Sequence, residues 1–237
     1  MKKNSDIFGI AFKDFLEGQT DGKIIIKTDV SGIEELPVMY FFRGKDELPE
    51  WEQIALDICK GRVLDAGAGA GSHALILQEM NFDLVAMDIS EGAVEIMKNR
   101  GVENAVCSDF HSFNDEKKFD TILFLMNGIG LAKNLEGLKN TLDHCKTLLN
   151  KNGQIILESS DLIYLYEDND GSFYINLSEK YYGEVEYILS YKKNKGEKFN
   201  WLYVDYDNLA SVAELSGFKS ELVYKGDNYN YLAVLRK

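Results

Sequence analysis

The sequence is poor in proline and cysteine. Of 237 residues, two are proline and three are cysteine. Two prolines leave no proline-rich spacer between separate domains. The cysteines (Cys59, Cys107 and Cys145) are odd in number and far apart, and each lies in an apolar segment, which favours buried free thiols over a disulfide framework. We therefore expect one large domain with appendages, in a reducing, cytoplasmic environment.

Long apolar runs and an excess of positive charge are also missing. The apolar stretch at residues 7–10 is too short for a signal peptide, and no segment approaches the length of a membrane span. Lysines and arginines number 26 against 39 aspartates and glutamates, which gives a net charge of −13. Because an acidic surface repels phosphate backbones, we expect no nucleic-acid partner and no membrane partner.

Strand and helix patterns alternate between residues 63 and 160. The predicted strands are 63–65, 83–88, 104–108, 119–126 and 154–158, and the predicted helices are 72–80, 90–100 and 135–149. A nearly continuous apolar run such as 119–126 is typical of a strand that is covered on both faces. This alternation predicts an α/β fold with a parallel sheet and helices on both faces.

The alternation of strands and helices ends after residue 161. Strands at 184–191 and 198–205 with a loop at 192–197 indicate a hairpin, and a helix at 208–216 precedes two further strands at 220–224 and 229–235. The N-terminal segment 1–48 contains a helix at 6–17 and a strand at 23–28. We interpret 49–237 as the main domain, and both 1–48 and the insertion 161–206 as a cap over its ligand-binding edge.

The most specific motif is a glycine turn, Asp65-Ala66-Gly67-Ala68-Gly69-Ala70-Gly71. It follows an apolar strand and precedes a helix that begins near Ser72. Glycines at alternate positions let a ligand approach the backbone, and the N-terminus of the helix can face an anion. A dinucleotide-binding fingerprint would place its third glycine at Ser72, so the spacing differs from that motif by one residue.

Three further features follow predicted strand ends. Asp88-Ile89-Ser90 ends the second strand, where a carboxylate can accept hydrogen bonds from both hydroxyls of a ribose. Asp109-Phe110 follows the third strand, and Met126-Asn127-Gly128 follows the fourth, where glycine allows close approach to the backbone. Taken singly, each is also compatible with a helix cap or a plain loop, but the agreement of all of them is more specific.

Together these motifs resemble class I S-adenosylmethionine (SAM) dependent methyltransferases over residues 50–237. The resemblance implies a Rossmann-like sheet of seven strands with an antiparallel C-terminal hairpin. It also implies that Asp109 bonds the adenine amino group, that Phe110 packs on the adenine ring, and that Met126 packs against the cofactor. The expected cofactor-binding residues are Asp65, Ala66, Gly67, Gly69, Gly71, Asp88, Ile89, Ser90, Asp109, Phe110, Met126, Asn127, Gly128 and Arg43.

Arg43 and three titratable residues are less specific candidates. Arg43 could hold the carboxylate of the cofactor or an anionic substrate, or lie along the surface. Methyl transfer needs a general base only if the acceptor must lose a proton, and the candidates for this catalytic role are His111, Glu158 and Asp161. For His111 we favour a position in a surface loop over a catalytic role. We assign no metal site.

The sequence therefore predicts a cytoplasmic methyltransferase that uses SAM and methylates a small organic molecule. The tyrosines and Trp201 of the insertion could line a pocket or form the interface of a homodimer. Two alternatives remain at this stage: an NAD-linked oxidoreductase with a Rossmann-like fold, and a SAM-binding protein that has lost methyl transfer.

Overall fold

Two β-sheets organise the computed structural model, which describes residues 6–168, 172 and 180–237. The helices in this part of the chain are α1 (Ile7–Leu16), α2 (Glu50–Asp57), α3 (Ser72–Glu79), α4 (Glu91–Asn99), α5 (Leu135–Leu148) and α6 (Tyr206–Leu215). The strands are β1 (Lys23–Thr28), β2 (Ile33–Pro37), β3 (Arg62–Ala66), β4 (Asp83–Asp88), β5 (Ala105–Cys107), β6 (Phe119–Phe124), β7 (Leu149–Ser160), β8 (Glu184–Tyr191), β9 (Asn194–Leu202), β10 (Lys219–Lys225) and β11 (Asn230–Arg236).

The larger sheet has seven strands in the order β10-β11-β7-β6-β3-β4-β5. Strands β3 to β7 run parallel, and β11 and β10 join the β7 edge in antiparallel fashion. The central strand β6 is buried along almost its whole length, as its apolar run requires for a strand with helices on both faces. The predicted α/β class, the seven strands and the antiparallel C-terminal hairpin are confirmed.

The smaller sheet has four antiparallel strands in the order β2-β1-β8-β9. Ile26 of the N-terminal segment lies opposite Leu189 of the insertion, so the two predicted cap segments share one sheet. We call this sheet the cap sheet. Of the predicted insertion 161–206, residues 169–171 and 173–179 lie outside the described residues.

One detail of the predicted hairpin is wrong. The sequence predicts a loop at 192–197, but Tyr191 pairs with Asn194, so only Lys192 and Lys193 form the turn. Lys192 has a φ of 52°, which is the left-handed conformation that two-residue hairpin turns require. The polar composition of 194–197 concealed a strand, because an exposed strand needs no apolar residues.

Helix α1 is fastened to helix α4 by one carboxylate. Asp6 caps α1 by accepting from the Gly9 amide at 2.9 Å. The same carboxylate accepts from the Ser90 hydroxyl at 2.7 and 2.8 Å and from the Gly92 amide at 2.9 Å. Because Gly9 and Gly92 lack side chains, the two helices approach until a Cβ on either glycine would lie within 3 Å of the other backbone. The N-terminal segment is thereby held beside the glycine turn.

Strands β8 and β9 form a hairpin of the cap sheet, which we call the cap hairpin. It meets the main sheet where Trp201 lies on Gly130. A Cβ added at Gly130 would lie 2.1 Å from Nε1 of the Trp201 indole. Gly130 belongs to the 3-10 turn Gly128–Ala132 that follows β6. The second glycine of this turn therefore admits a side chain of the cap hairpin. Within the described residues, no helix is both long and apolar enough to cross a membrane.

This contact yields a stability prediction. Gly130→Ala should lower the free energy of unfolding by about 1–3 kcal/mol, because the methyl group must displace the Trp201 ring in a packed junction. Gly44→Ala is the matched control, since a Cβ there would meet its nearest neighbour at an ordinary 3.6 Å. Urea unfolding measures both variants. Equal stability of the two variants would contradict the packing of Trp201 on Gly130.

Candidate active site

The three glycines of the turn after β3 have different surroundings. Gly67, Gly69 and Gly71 have φ values of 84°, 57° and 84°, a region that residues with a Cβ rarely adopt. A Cβ at Gly67 would meet no atom within 4 Å, whereas one at Gly71 would lie 3.0 Å from Met97 and Val102. Gly67 therefore offers the open side of the turn, and Gly71 lets the turn pack on α4 and the segment after it.

Asp88 links the glycine turn to helix α4. Its Oδ2 accepts from the Gly69 amide at 2.9 Å and its Oδ1 accepts from the Ser90 amide at 2.9 Å. Burial raises the pKa of Asp88, and the nearby charge of Asp6 raises it further, although the bonds from Ser90 and Gly69 oppose the shift. A carboxylate has about four acceptor positions, so Asp88 keeps capacity for hydroxyl donors at the strand end.

Exposed residues follow the ends of the neighbouring strands β3, β4 and β5. Gly67 is exposed, Ile89 is 70% exposed, and the Asp109 side chain is 52% exposed. Phe110 is buried and packs edge-to-face on Phe124 at a centroid distance of 5.2 Å. The predicted ribose, adenine and glycine-turn residues are thus brought to one edge of the sheet.

Asn127 lies just after β6 and links the end of this strand to β7 and β9. Met126 and Asn127 have φ values of 52° and 54°, which is rare for two successive residues that are not glycine. The backbone N–H of Asn127 donates to Glu158 at 3.1 Å. In its side chain, Nδ2 donates to the Leu202 carbonyl at 3.1 Å and Oδ1 accepts from the Ser159 hydroxyl at 2.9 Å. Both polar atoms of the side chain are therefore engaged by the protein, and the strained turn is fixed by them.

Gly128, next in the same turn, is closely packed. A Cβ there would lie 3.4 Å from the carbonyl oxygen of Ala66, at the end of β3. The ends of β3 and β6 are therefore in contact through backbone atoms. Met126 is half-buried beside them.

A buried charge cluster lies beside this turn. Glu52 accepts two bonds from Arg43 at 2.9 and 3.0 Å, and its Oε2 lies 2.6 Å from Nε2 of His73. Burial alone would lower the pKa of His73, but the bond to Glu52 and the charges of Glu52, Asp65 and Glu158 raise it overall. Conversely, burial raises the pKa of Glu52, and His73 and Arg43 together bring it below its usual value. Arg43 is thus paired in the interior, which differs from the surface position considered in the sequence analysis.

Two carboxylates of this cluster are incompletely paired. Asp65 Oδ2 and Glu158 Oε2 are buried and have no hydrogen-bond partner among the described residues. Burial is the main reason that the pKa of Asp65 rises to about 6 and that of Glu158 to about 7. Three carboxyl groups therefore face two basic side chains, so the cluster has an excess of negative charge once Asp65 and Glu158 are both ionised. Buried groups of this kind call for a cationic partner.

The other two candidate bases lie elsewhere. His111 bonds Thr141 of α5 at 3.0 Å, and burial lowers its pKa. Asp161 accepts from the Tyr182 hydroxyl at 2.7 Å and from the Ile163 amide at 2.9 Å. Of the three, the structure brings only Glu158 into direct contact with Asn127.

Sequence reasoning missed Glu52. A signal was present, because Glu52, Ala55, Leu56 and Cys59 follow the i, i+3, i+4, i+7 spacing of one helix face, and all four are buried. A glutamate on an apolar face must find a partner in the interior, and the partners here are Arg43 and His73.

The raised pKa values predict how stability depends on pH. Between about pH 4 and 7 the folded protein keeps protons on Asp65 and Glu158 that the unfolded chain has released. The free energy of unfolding therefore decreases as the pH rises through this range. His73, whose pKa is also raised, contributes with the same sign, since its stabilisation is lost as the pH passes its folded value.

Urea unfolding at pH 5 and pH 8 measures this loss. Glu158→Gln should reduce the loss by an amount on the order of 1–3 kcal/mol, because each pKa unit corresponds to about 1.4 kcal/mol. The exposed substitution Glu214→Gln in α6 is the control and should keep the wild-type loss. An unchanged pH dependence in Glu158→Gln would show that this carboxyl is not held protonated by its surroundings.

Comparisons with known proteins identify the family. A family model described as a methyltransferase domain matches residues 41–221. A solved SAM-dependent methyltransferase from Bacteroides fragilis, in complex with S-adenosyl-L-homocysteine, is 40% identical to this chain, with a TM-score of 0.90. The match covers 97% of this chain and 94% of that one. No curated protein matches the chain significantly.

More distant structures share the fold alone. DesVI from Streptomyces venezuelae has a TM-score of 0.58 at 17% identity, over 84% of this chain and 94% of that one. CalS10 from Micromonospora echinaspora, an amino pentose methyltransferase solved with SAM, has a TM-score of 0.54 at 12% identity, over 79% and 92%. The family match and the relative at 40% identity confirm the predicted family, enzyme class and cofactor: the chain belongs to the SAM-dependent methyltransferases.

Proposed function

We propose that this protein transfers the methyl group of SAM to a small organic acceptor by in-line displacement. The observation that carries the proposal is the pair of unpaired buried carboxylate oxygens, on Asp65 and Glu158, close to the open glycine Gly67 and the turn after β6. A cation suits these oxygens, whereas the phosphates of a dinucleotide would be repelled by them. This argues against an NAD-linked enzyme on electrostatic grounds.

The residues present at this edge of the sheet fit SAM. Asp65 and Glu158 would balance the positive charges of the cofactor, and Arg43, although bonded to Glu52, would pair with the cofactor carboxylate. Asp88 would accept from the ribose hydroxyls, and Asp109 from the adenine amino group. When bound, SAM supplies an activated methyl group on a positively charged sulfur.

Charge and position are the protein's main contributions to the reaction. Asp65 and Glu158 are fixed by the surrounding fold before any ligand binds, so they need no reorganisation during the reaction. Glu158 also has a pKa of about 7 and contacts Asn127. We propose Glu158, rather than His111 or Asp161, as the group that takes a proton where the acceptor must lose one.

The ribose assignment is tested by Asp88→Asn. This substitution keeps the side-chain shape but removes the charge, and we expect SAM affinity to fall by about 10- to 100-fold, since a hydrogen bond to a charged group contributes about 1.5–3 kcal/mol. Asp83→Asn, at the opposite end of β4, is the matched control and should bind SAM normally. Calorimetric titration gives both affinities, and equal affinities would remove Asp88 from the cofactor site.

The function as a whole is tested by titrating the full chain with SAM, S-adenosylhomocysteine and NAD. We expect micromolar binding of the first two and none of NAD. Binding should be followed by a screen in which release of S-adenosylhomocysteine is measured with small-molecule extracts as acceptors. Binding of NAD alone would overturn the proposal, and binding of SAM without turnover of any acceptor would favour a SAM-binding protein that has lost transfer. A homodimer and a cytoplasmic location stay predictions from the sequence.

A further inference from the structure

A cavity lies between the cap sheet and the end of β7. It has a volume of about 110 Å³, and its walls include Glu34 of β2, Tyr187 of β8, and Tyr164 and Tyr203 from the segments after β7 and β9. We call it the tyrosine pocket. It is smaller than the roughly 300–1,000 Å³ of a site for a drug-sized ligand, so it suits a small group or one end of a larger molecule.

The tyrosine pocket reaches the turn after β6. The Tyr187 and Tyr203 hydroxyls are hydrogen-bonded at 2.7 Å. Tyr203 directly follows Leu202, whose carbonyl accepts from Asn127 Nδ2 at 3.1 Å. Because Asn127 lies beside Glu158 at the proposed cofactor site, the inner end of the pocket is next to the place where the methyl group would be delivered.

The charge on the walls of this pocket is negative. None of the described residues that line it is a lysine, arginine or histidine, and its one charged side chain is Glu34. Burial raises the pKa values of Tyr164, Tyr187 and Tyr203, and the Glu34 charge raises all three further. The hydroxyls are therefore neutral at physiological pH, and Glu34 acts on each of them. A carboxylate or phosphate would find no cation here, whereas an ammonium group is attracted both by aromatic faces and by a carboxylate.

We propose that the tyrosine pocket binds the acceptor, an inference that rests on the proposed function. This acceptor is a small primary or secondary amine, so the enzyme is an N-methyltransferase. An amine bound in its ammonium form first gives one proton to Glu158, the proposed base. The neutral nitrogen then uses its lone pair to form the new N–C bond while the S–C bond of the donor breaks. Positive charge moves from sulfur to nitrogen, and the product ammonium then releases one proton to water. The aromatic faces and Glu34 stabilise the positive charge on nitrogen, where it develops during transfer.

Glu34 and Glu35 offer a matched pair of variants for the test. Both are exposed on β2, but Glu35 does not line the pocket and pairs instead with Lys23 on the surface. Tetramethylammonium, tert-butanol and acetate serve as small probes of similar size, titrated into the full chain loaded with S-adenosylhomocysteine and into the ligand-free chain. Tetramethylammonium should bind about tenfold more tightly than the other two. Glu34→Gln should weaken its binding by about two- to fivefold, and Glu35→Gln should not change it.

Turnover gives the second measurement. Propylamine, propanol and propionate are compared as acceptors by the release of S-adenosylhomocysteine, and we expect methylation of the amine alone. The proposal is overturned if propanol or propionate reacts faster than the amine, if tetramethylammonium binds no better than acetate, or if Glu34→Gln and Glu35→Gln bind it equally. Failure of SAM and S-adenosylhomocysteine to bind would instead overturn the proposed function, and the ligand-free titration would still report on the pocket.

Discussion

The hydrogen bonds of Asn127 fix the geometry on which the rest of the site depends. One residue ties the end of β6 to Glu158 and Ser159 of β7 and to the Leu202 carbonyl of β9. Ser159 extends the connection, since its hydroxyl also accepts from the Val204 amide at 3.0 Å. The end of the main sheet and the end of the cap hairpin are therefore set by the same buried amide. A left-handed backbone at two adjacent residues persists only where the surroundings determine it this strongly.

The second constraint is electrostatic. Placing Asp65, Glu158 and Glu52 in one interior region is unfavourable, and only Glu52 is fully compensated, by Arg43 and His73. The folded protein relieves part of this cost by holding protons on Asp65 and Glu158. A cationic ligand would relieve it directly, since the carboxylates could then ionise beside it. If SAM binds beside these carboxylates as proposed, they favour it over its product, which has lost the sulfonium charge.

Much of this architecture follows from local sequence patterns. The strand at 83–88 has the predicted bounds, and the parallel order of the central strands follows from the alternation of strands and helices. The residues at the strand ends were identifiable because parallel strands bring their C-terminal ends to one edge. Strand β2 escaped prediction, since Ile33–Pro37 is mostly exposed and carries two adjacent glutamates.

Contacts between distant segments could not be predicted in the same way. The pairing of β1 with β8 joins residues more than 150 positions apart, and neither strand has a pattern that specifies its partner. The packing of Trp201 on Gly130 is similar, because a glycine in a turn indicates close approach without indicating what approaches. Such pairings depend on the complementarity of two surfaces that exist only after both have folded.

The cap and the cofactor edge are linked by a short series of hydrogen bonds. Asp6 accepts from the Ser90 hydroxyl, the Ser90 amide donates to Asp88, and Asp88 accepts from the Gly69 amide. Ser90 therefore both holds helix α1, through Asp6, and orients Asp88, the carboxylate proposed to bind the ribose. The charge of Asp6 also raises the pKa of Asp88, so a change in the position of α1 alters the electrostatics of that carboxylate. Since coupling between two sites is reciprocal, a ligand that orders Asp88 also stabilises the contact of α1 with Ser90.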